Sequence, residues 1–285
     1  MATEHLVPAD VHARYRVREW RNAAGVLTTA CPEAWQDLIE VLQGFTLLRS
    51  EILTAGGGLS PISQRINEAF QSRGWREKRF ATRIVVDATE YASPTHAVDC
   101  FKGRVALELE LSYQPPLMLT HEEWVNGGRY ESYFARRRPP TRRAIPAGRM
   151  AGRVGHSAGW YNKDPFFDRD LNNFRLLFDL RAIDAGIILT RDSELQELSV
   201  ELGKAESYGN STTHHEKLWP RLEGGGGGGC PILTFAITRA VYVDDGPEAL
   251  EAARRRKAAR AVARRAGRGG NGGAAGGPAA EGRNR

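Results

Sequence analysis

Between Val105 and Leu111 the chain alternates: Val105, Leu107, Leu109 and Leu111 share one parity, and Ala106, Glu108 and Glu110 share the other. A period of two predicts a β-strand with its leucines in a core. Glu108 and Glu110 would then project from the opposite face, about 6–7 Å apart along the strand. Upstream, Tyr15–Trp20 and Val26–Thr29 flank Asn22-Ala23-Ala24-Gly25 and predict a strand pair. After Pro32, the residues Trp35, Leu38, Ile39, Leu42 and Phe45 recur at steps of three and four, the period of an amphipathic helix. Ser60-Pro61 supplies a cap and first helical position for a second helix through Ile62, Ile66 and Phe70. Phe80–Val86 is β-rich and leads into the acidic strand. Downstream, Asp168 or Asp170 is expected to cap a helix carrying Leu171, Phe174, Leu177, Phe178 and Ile183, ended by Gly186. Ile187–Thr190 predicts a buried strand. Ser193 is placed to cap a helix through Leu195, Leu198 and Leu202. Residues 207–217 form a polar loop before the glycine run 224–229, and Pro231–Thr238 is the last strand. Helices alternating with strands predict an α/β fold with a mixed sheet.

Two stretches break this pattern. Residues 111–159 carry eight arginines, repeated Pro-Pro and Gly-Gly steps and no sustained period. Such a stretch lacks the apolar face that would offset ordering entropy, so a disordered insertion is expected there. From residue 247 onward Ala, Arg and Gly dominate. Transient helicity over 248–266 and a disordered basic C-terminal tail are expected. The ordered body is therefore 1–246, interrupted by 111–159, with 247–285 as the tail.

The net charge of +6 resides in that tail: residues 247–285 carry +7, leaving −1 for residues 1–246. A basic pI thus says little about the folded part. Cys31, Cys100 and Cys230 are far apart in the sequence and lack metal-binding spacing, which fits a reducing cytoplasm. No apolar run is long enough to cross a membrane, and Met1-Ala2-Thr3-Glu4-His5 does not read as a secretory signal.

Candidate chemistry centres on the acidic strand. Asp99 lies nine positions before Glu108, with Gly103 as a turn between them, so it can close onto the same place from a neighbouring strand. Three carboxylates over an apolar floor repel one another unless a hard divalent cation such as Mg²⁺ neutralises them. The same alternation also describes any strand with one wet face. His214-His215 has no third histidine nearby and adjacent residues seldom converge on one ion, which argues against a metal pair. Gly224–Gly229 lacks the Lys-Ser/Thr ending of a phosphate loop.

Three blocks in order carry a resemblance. Asp99 followed nine residues later by Glu-x-Glu resembles the metal site of PD-(D/E)xK-type nucleases in which an acid replaces lysine. Lys163-Asp164-Pro165-Phe166-Phe167-Asp168-Arg169-Asp170-Leu171-Asn172-Asn173-Phe174-Arg175 and Ser211-Thr212-Thr213-His214, followed by the glycine run and Cys230-Pro231, look like the BglII restriction endonuclease family, related in fold to BamHI. The resemblance covers about residues 35–243 without 111–159, a 49-residue interruption that the family pattern lacks. It implies a restriction-endonuclease-like mixed β-sheet flanked by helices over 1–246. It implies a Mg²⁺-dependent type II endonuclease that hydrolyses double-stranded DNA at a specific palindromic site, as a homodimer, alongside a cognate DNA methyltransferase. Asp99 and Glu108 would hold Mg²⁺, and Glu110 would position or deprotonate the attacking water. Glu68 would be a further acid, unless it is simply part of a solvated helix face. Arg169, Asn172, Asn173 and Arg175 would meet DNA from the helix. Arg175 is equally placed for an i,i+4 pair with Asp179. Ser211, Thr212, Thr213, His214 and Lys217 would meet it from the loop. The rival readings are a catalytically impaired DNA-binding relic and a structure-specific repair nuclease.

Overall fold

The computed structural model describes residues 3–55, 60–111, 164–205 and 213–269. The elements in order are helices α1 (Thr3–Leu6) and α2 (Ala9–Arg14), strand β1 (Tyr15–Trp20), helices α3 (Ala23–Ala30) and α4 (Pro32–Gly44), strand β2 (Leu47–Leu48), and helices α5 (Arg49–Thr54) and α6 (Pro61–Gln71). Strands β3 (Arg76–Lys78), β4 (Ala81–Val86), β5 (Thr89–Pro94), β6 (Val98–Lys102) and β7 (Val105–Leu109) follow. The second half holds α7 (Asp164–Asp179), β8 (Ala185–Arg191), α8 (Leu195–Glu201), α9 (His215–Glu223), β9 (Ile232–Ile237), β10 (Tyr242–Val243) and α10 (Gly246–Gly269).

Six strands form one sheet in the order β1-β9-β8-β7-β6-β3. The centre, β7-β8-β9, is parallel, while β6 and β1 run antiparallel at its flanks. Both faces are covered. On one face Val105, Leu107, Ile187, Leu189, Leu233 and Phe235 pack against α3, α4 and α6. On the other, Ala106, Ile188 and Ile232 pack under Phe167, Leu171, Phe174 and Leu177 of α7 and Leu218 and Leu222 of α9. The α/β fold with a mixed sheet between helices is therefore the observed architecture.

Helix starts follow their sequences where caps are clear. Ser60 Oγ accepts from Ser63 N at 3.0 Å, with Pro61 at the first helical position. Several expectations are corrected. Val26–Thr29 belongs to α3, because Ala23, Ala24 and Leu27 bury together at helical spacing after Arg21 and Asn22 turn at positive φ. Asp168 and Asp170 lie inside α7, which starts at Asp164. α8 starts at Leu195 rather than at a Ser193 cap. His215–Lys217 opens α9 instead of extending a loop. Transient helicity after 248 becomes α10, whose first turns bury Leu250 and Ala253. The acidic strand has no wet face: Val105 to Glu108 are all buried, as befits a strand paired on both sides and covered on both faces. The insertion expected over 111–159 falls outside the described residues except for Leu111, which is buried in the core.

Gly186 ends no helix; it lies in β8. A Cβ there would sit 2.4 Å from the buried Phe174 ring, so glycine is what lets α7 lie close on the sheet. Phe174 is one turn beyond Asp170 on the buried face of the same helix. Gly186→Ala is expected to destabilise the protein by about 1–3 kcal/mol through overpacking, read as a lowered Tm.

Candidate active site

The β6–β7 hairpin turns at Gly103, which has φ +59, and brings Asp99 back beside Glu108 and Leu109. The two acids are tied to each other's strand. Leu109 N donates to Asp99 Oδ2 at 2.9 Å, and Asp99 N donates to Glu108 Oε2 at 3.3 Å. Glu108 has no exposed surface, and its Oε1 has no hydrogen-bond partner. Glu110 follows the strand, held by Glu110 N donating to Leu189 O at 3.0 Å and by the Thr190 hydroxyl donating to Glu110 O at 3.2 Å.

α7 adds a fourth acid. Asp170 has no exposed surface, and its Oδ2 is without a partner. Arg169 bridges Asp170 and Glu110, with Nε 2.8 Å from Asp170 Oδ1 and Nη2 3.2 Å from Glu110 Oε1. Its guanidinium also lies over the Phe166 ring at 5.0 Å.

Burial governs the electrostatics. It pushes the Glu108 and Glu110 carboxyls well above the usual range, and the charge of Asp170 pushes both further. Burial also raises Asp99 and Asp170, with Arg169 pulling both back. Four acids therefore stand against one guanidinium. The donor set fits a hard divalent cation: it consists of carboxylate oxygens, and Glu108 Oε1 and Asp170 Oδ2 are buried without partners. The fit is not a finished cage. Among the described residues no three His, Cys, Asp or Glu side chains converge as a ready ion site, and Asp99 and Glu108 each accept from a backbone amide.

The other expected residues are distributed differently. Glu68 lies on the exposed side of α6, where Gln64 Nε2 donates to it at 2.7 Å, and it does not join the carboxylates. Its neighbour Asn67 instead accepts from the Cys100 thiol at 3.1 Å. Arg169 belongs to the acidic cluster. Asn173 is buried and donates to His96 O at 3.3 Å, so it fastens α7 to the segment leading into β6. Asn172 and Arg175 are exposed. Arg175 Nε stands 3.9 Å from Asp179 Oδ2, a loose i,i+4 pair, and its stem lies over Gly228. Ser211 and Thr212 fall outside the described residues. Thr213 is buried, its carbonyl accepting from Arg191 Nε at 2.8 Å. His214 precedes α9 and meets Glu216 Oε2 at 2.8 Å, and Lys217 is half-buried on the first turn. His215 points inward to Thr234 Oγ1 at 2.9 Å, and burial lowers its pKa to about 4. The adjacent histidines thus face different surroundings.

Asp170 was hidden in the sequence by its resemblance to a helix cap. The available signal was its phase: Phe167, Asp170, Leu171 and Phe174 share the buried stripe of one helix. A carboxylate on such a stripe needs a partner.

The six-stranded mixed sheet, flanked by helices, carries the acids on and beside its β6–β7 hairpin. Residues 15–237 match the family described as restriction endonuclease BglII/BglIII, and the chain belongs to that family of DNA-cleaving hydrolases. No curated individual protein is a significant match. The family match spans every carboxylate of the site and ends before α10. No helix among the described residues is long and apolar enough to cross a membrane.

Proposed function

We propose that the protein is a Mg²⁺-dependent type II endonuclease that cuts both strands of a specific palindromic DNA site as a homodimer. The observation that carries this reading is the undercompensated set of buried Glu108, Glu110 and Asp170 beside half-buried Asp99, within a chain of this family. Asp99 and Glu108 would hold the ion. When bound there, the ion offsets charge developing on the scissile phosphate and makes a water easier to deprotonate. Glu110, with its raised proton affinity, accepts a proton from the water whose oxygen bonds to phosphorus, and one sugar oxygen leaves as its P–O bond breaks. Arg169 holds Glu110 and Asp170 in register. Two-fold symmetry matches two cuts to two strands, and the helices at 32–48 and 61–73 are the candidate interface. The nuclease domain is 1–246, interrupted by 111–159. A cytoplasmic enzyme of this kind works beside a methyltransferase that protects the same site.

Purified protein with Mg²⁺ should convert plasmid DNA into discrete fragments whose ends share one sequence, and should sediment as a dimer on cognate DNA. Random degradation, or cutting that follows DNA structure instead of sequence, would favour a repair nuclease. Sequence-specific binding without any cutting would favour an inactive relic.

A further inference from the structure

The helix α10 lies beyond the part of the chain that matches the family. It is anchored at its start. Ser50 N and Oγ donate to the two oxygens of Asp245 at 2.9 and 2.5 Å, Arg49 faces Asp244 at 3.7 Å, and Leu250 and Ala253 pack beside α5. The acids of the helix, Glu248 and Glu251, are confined to its first turns. Residues 252–269 contain Arg254, Arg255, Arg256, Lys257, Arg260, Arg264, Arg265 and Arg268 and no acid.

Local pairing does not account for this charge. Arg254, Arg255, Arg256, Lys257 and Arg260 are all exposed. Arg255 reaches back to Glu251 at 3.2 Å, and Arg260 touches Gln64 at 3.0 Å. Arg254, Arg256 and Lys257 have no partner among the described residues. A favourable helix dipole explains cations only in the last turn, whereas this run sits in the middle of a 24-residue helix. Ala258, Ala259, Ala261 and Ala263 favour helix without packing, so the cations are presented on a rod about 36 Å long.

We infer that α10 is an accessory, sequence-independent binding surface for the phosphate backbone of duplex DNA, separate from the cleavage site. At 100° per residue, Arg254 to Lys257 surround the helix with charge, which suits a ligand negative along its length. A membrane surface fits less well, because Val262 is the one exposed large apolar side chain on the described part of α10. Phosphate contacts by Arg and Lys position DNA without reading bases. The helix lies beside α5 and reaches α6, and α6 meets Cys100, whose side chain belongs to the sheet face away from Glu108 and α7. It therefore grips DNA outside the segment being cut. The choice of duplex DNA rests on the proposed endonuclease function.

The test compares the full chain with an Arg254→Gln/Arg256→Gln/Lys257→Gln variant and an Arg254→Lys/Arg256→Lys variant. Binding to a random-sequence duplex is measured in EDTA between 50 and 200 mM salt, a range over which phosphate contacts lose affinity steeply. The glutamine variant should bind at least about tenfold more weakly at the lowest salt, with a log K against log salt slope shallower by about 2–3. Its Tm should be unchanged, and the lysine variant should keep the parent slope. Unchanged slope and affinity in the glutamine variant would overturn the inference. So would a loss confined to phosphatidylserine vesicles or to single-stranded RNA. Mg²⁺-dependent plasmid cutting is scored separately: cutting with an unaltered slope sinks only the α10 surface, and α10-dependent binding without cutting sinks only the endonuclease reading.

Discussion

Glu108→Ala is expected to lower Mg²⁺-dependent DNA cleavage by about 10²–10³-fold or more while leaving DNA binding in EDTA close to that of the parent. Charge stabilisation by a catalytic metal is worth several kcal/mol, and each ~1.4 kcal/mol is a factor of ten in rate. Glu108 is the acid on which the ion depends most. It has no exposed surface, one oxygen is fixed by the Asp99 amide, and the other has no partner. Removing it leaves Asp99 without a second ligand on the same hairpin. Glu68→Ala serves as the contrast, since that carboxylate is exposed and already paired with Gln64. It should cut within about twofold of the parent, a change worth under ~0.5 kcal/mol. Equal loss in both variants, or no loss in Glu108→Ala, would remove Glu108 from the chemistry.

The strand carrying the site was legible because its period is local. Val105 to Glu110 needs no knowledge of the rest of the chain to be read as β, and Asp99 follows from the turn at Gly103. The blanketing of its second face was not legible, because α7 is supplied by residues about sixty positions later, across the 111–159 interruption. That long-range packing converts Glu108 from a solvated acid into a buried one. The same cause hid Asp170: its sequence neighbours Asp168 and Arg169 look like a polar helix start, and only the docked helix shows that it faces inward. α3 was misread for a different reason. Val26–Thr29 has strong β-propensity, and tertiary burial of Ala23, Ala24 and Leu27 overrode it. The β4–β5 hairpin shows a third limit. It forms its own two-stranded sheet with Ile84, Val85, Val86 and Tyr91 exposed, so β-rich composition located a strand but could not say that it stands apart from the core.

Without metal, the carboxylate cluster is expected to favour the folded state more near pH 5 than near pH 8, against the opposite contribution of the buried His215, and Mg²⁺ should remove most of the cluster's share at the higher pH. Burial raises the proton affinity of Asp99, Glu108, Glu110 and Asp170 in the folded state. In the unfolded chain these carboxyls titrate near ~4. Above that pH the folded protein therefore holds more protons than the unfolded one, and stability falls as pH rises until the folded-state groups have ionised. This slope is opposite in sign to that of salt-bridged carboxylates. Arg169 limits the loss by pairing with Glu110 and Asp170, and it leaves Glu108 Oε1 uncompensated. Glu108→Gln keeps the shape, removes the charge and should raise Tm in EDTA at pH 8, by about 2–4 °C for each kcal/mol of relief. It should also lessen the loss of stability from pH 5 to pH 8 relative to the parent and weaken the stabilisation by Mg²⁺. Thermal melts of parent and Glu108→Gln at both pH values, with EDTA or Mg²⁺, distinguish the cases. A Glu108→Gln variant whose metal-free Tm matches the parent's at both pH values would show that the carboxylates are already compensated within the fold, and the cluster would then have no electrostatic need of a cation.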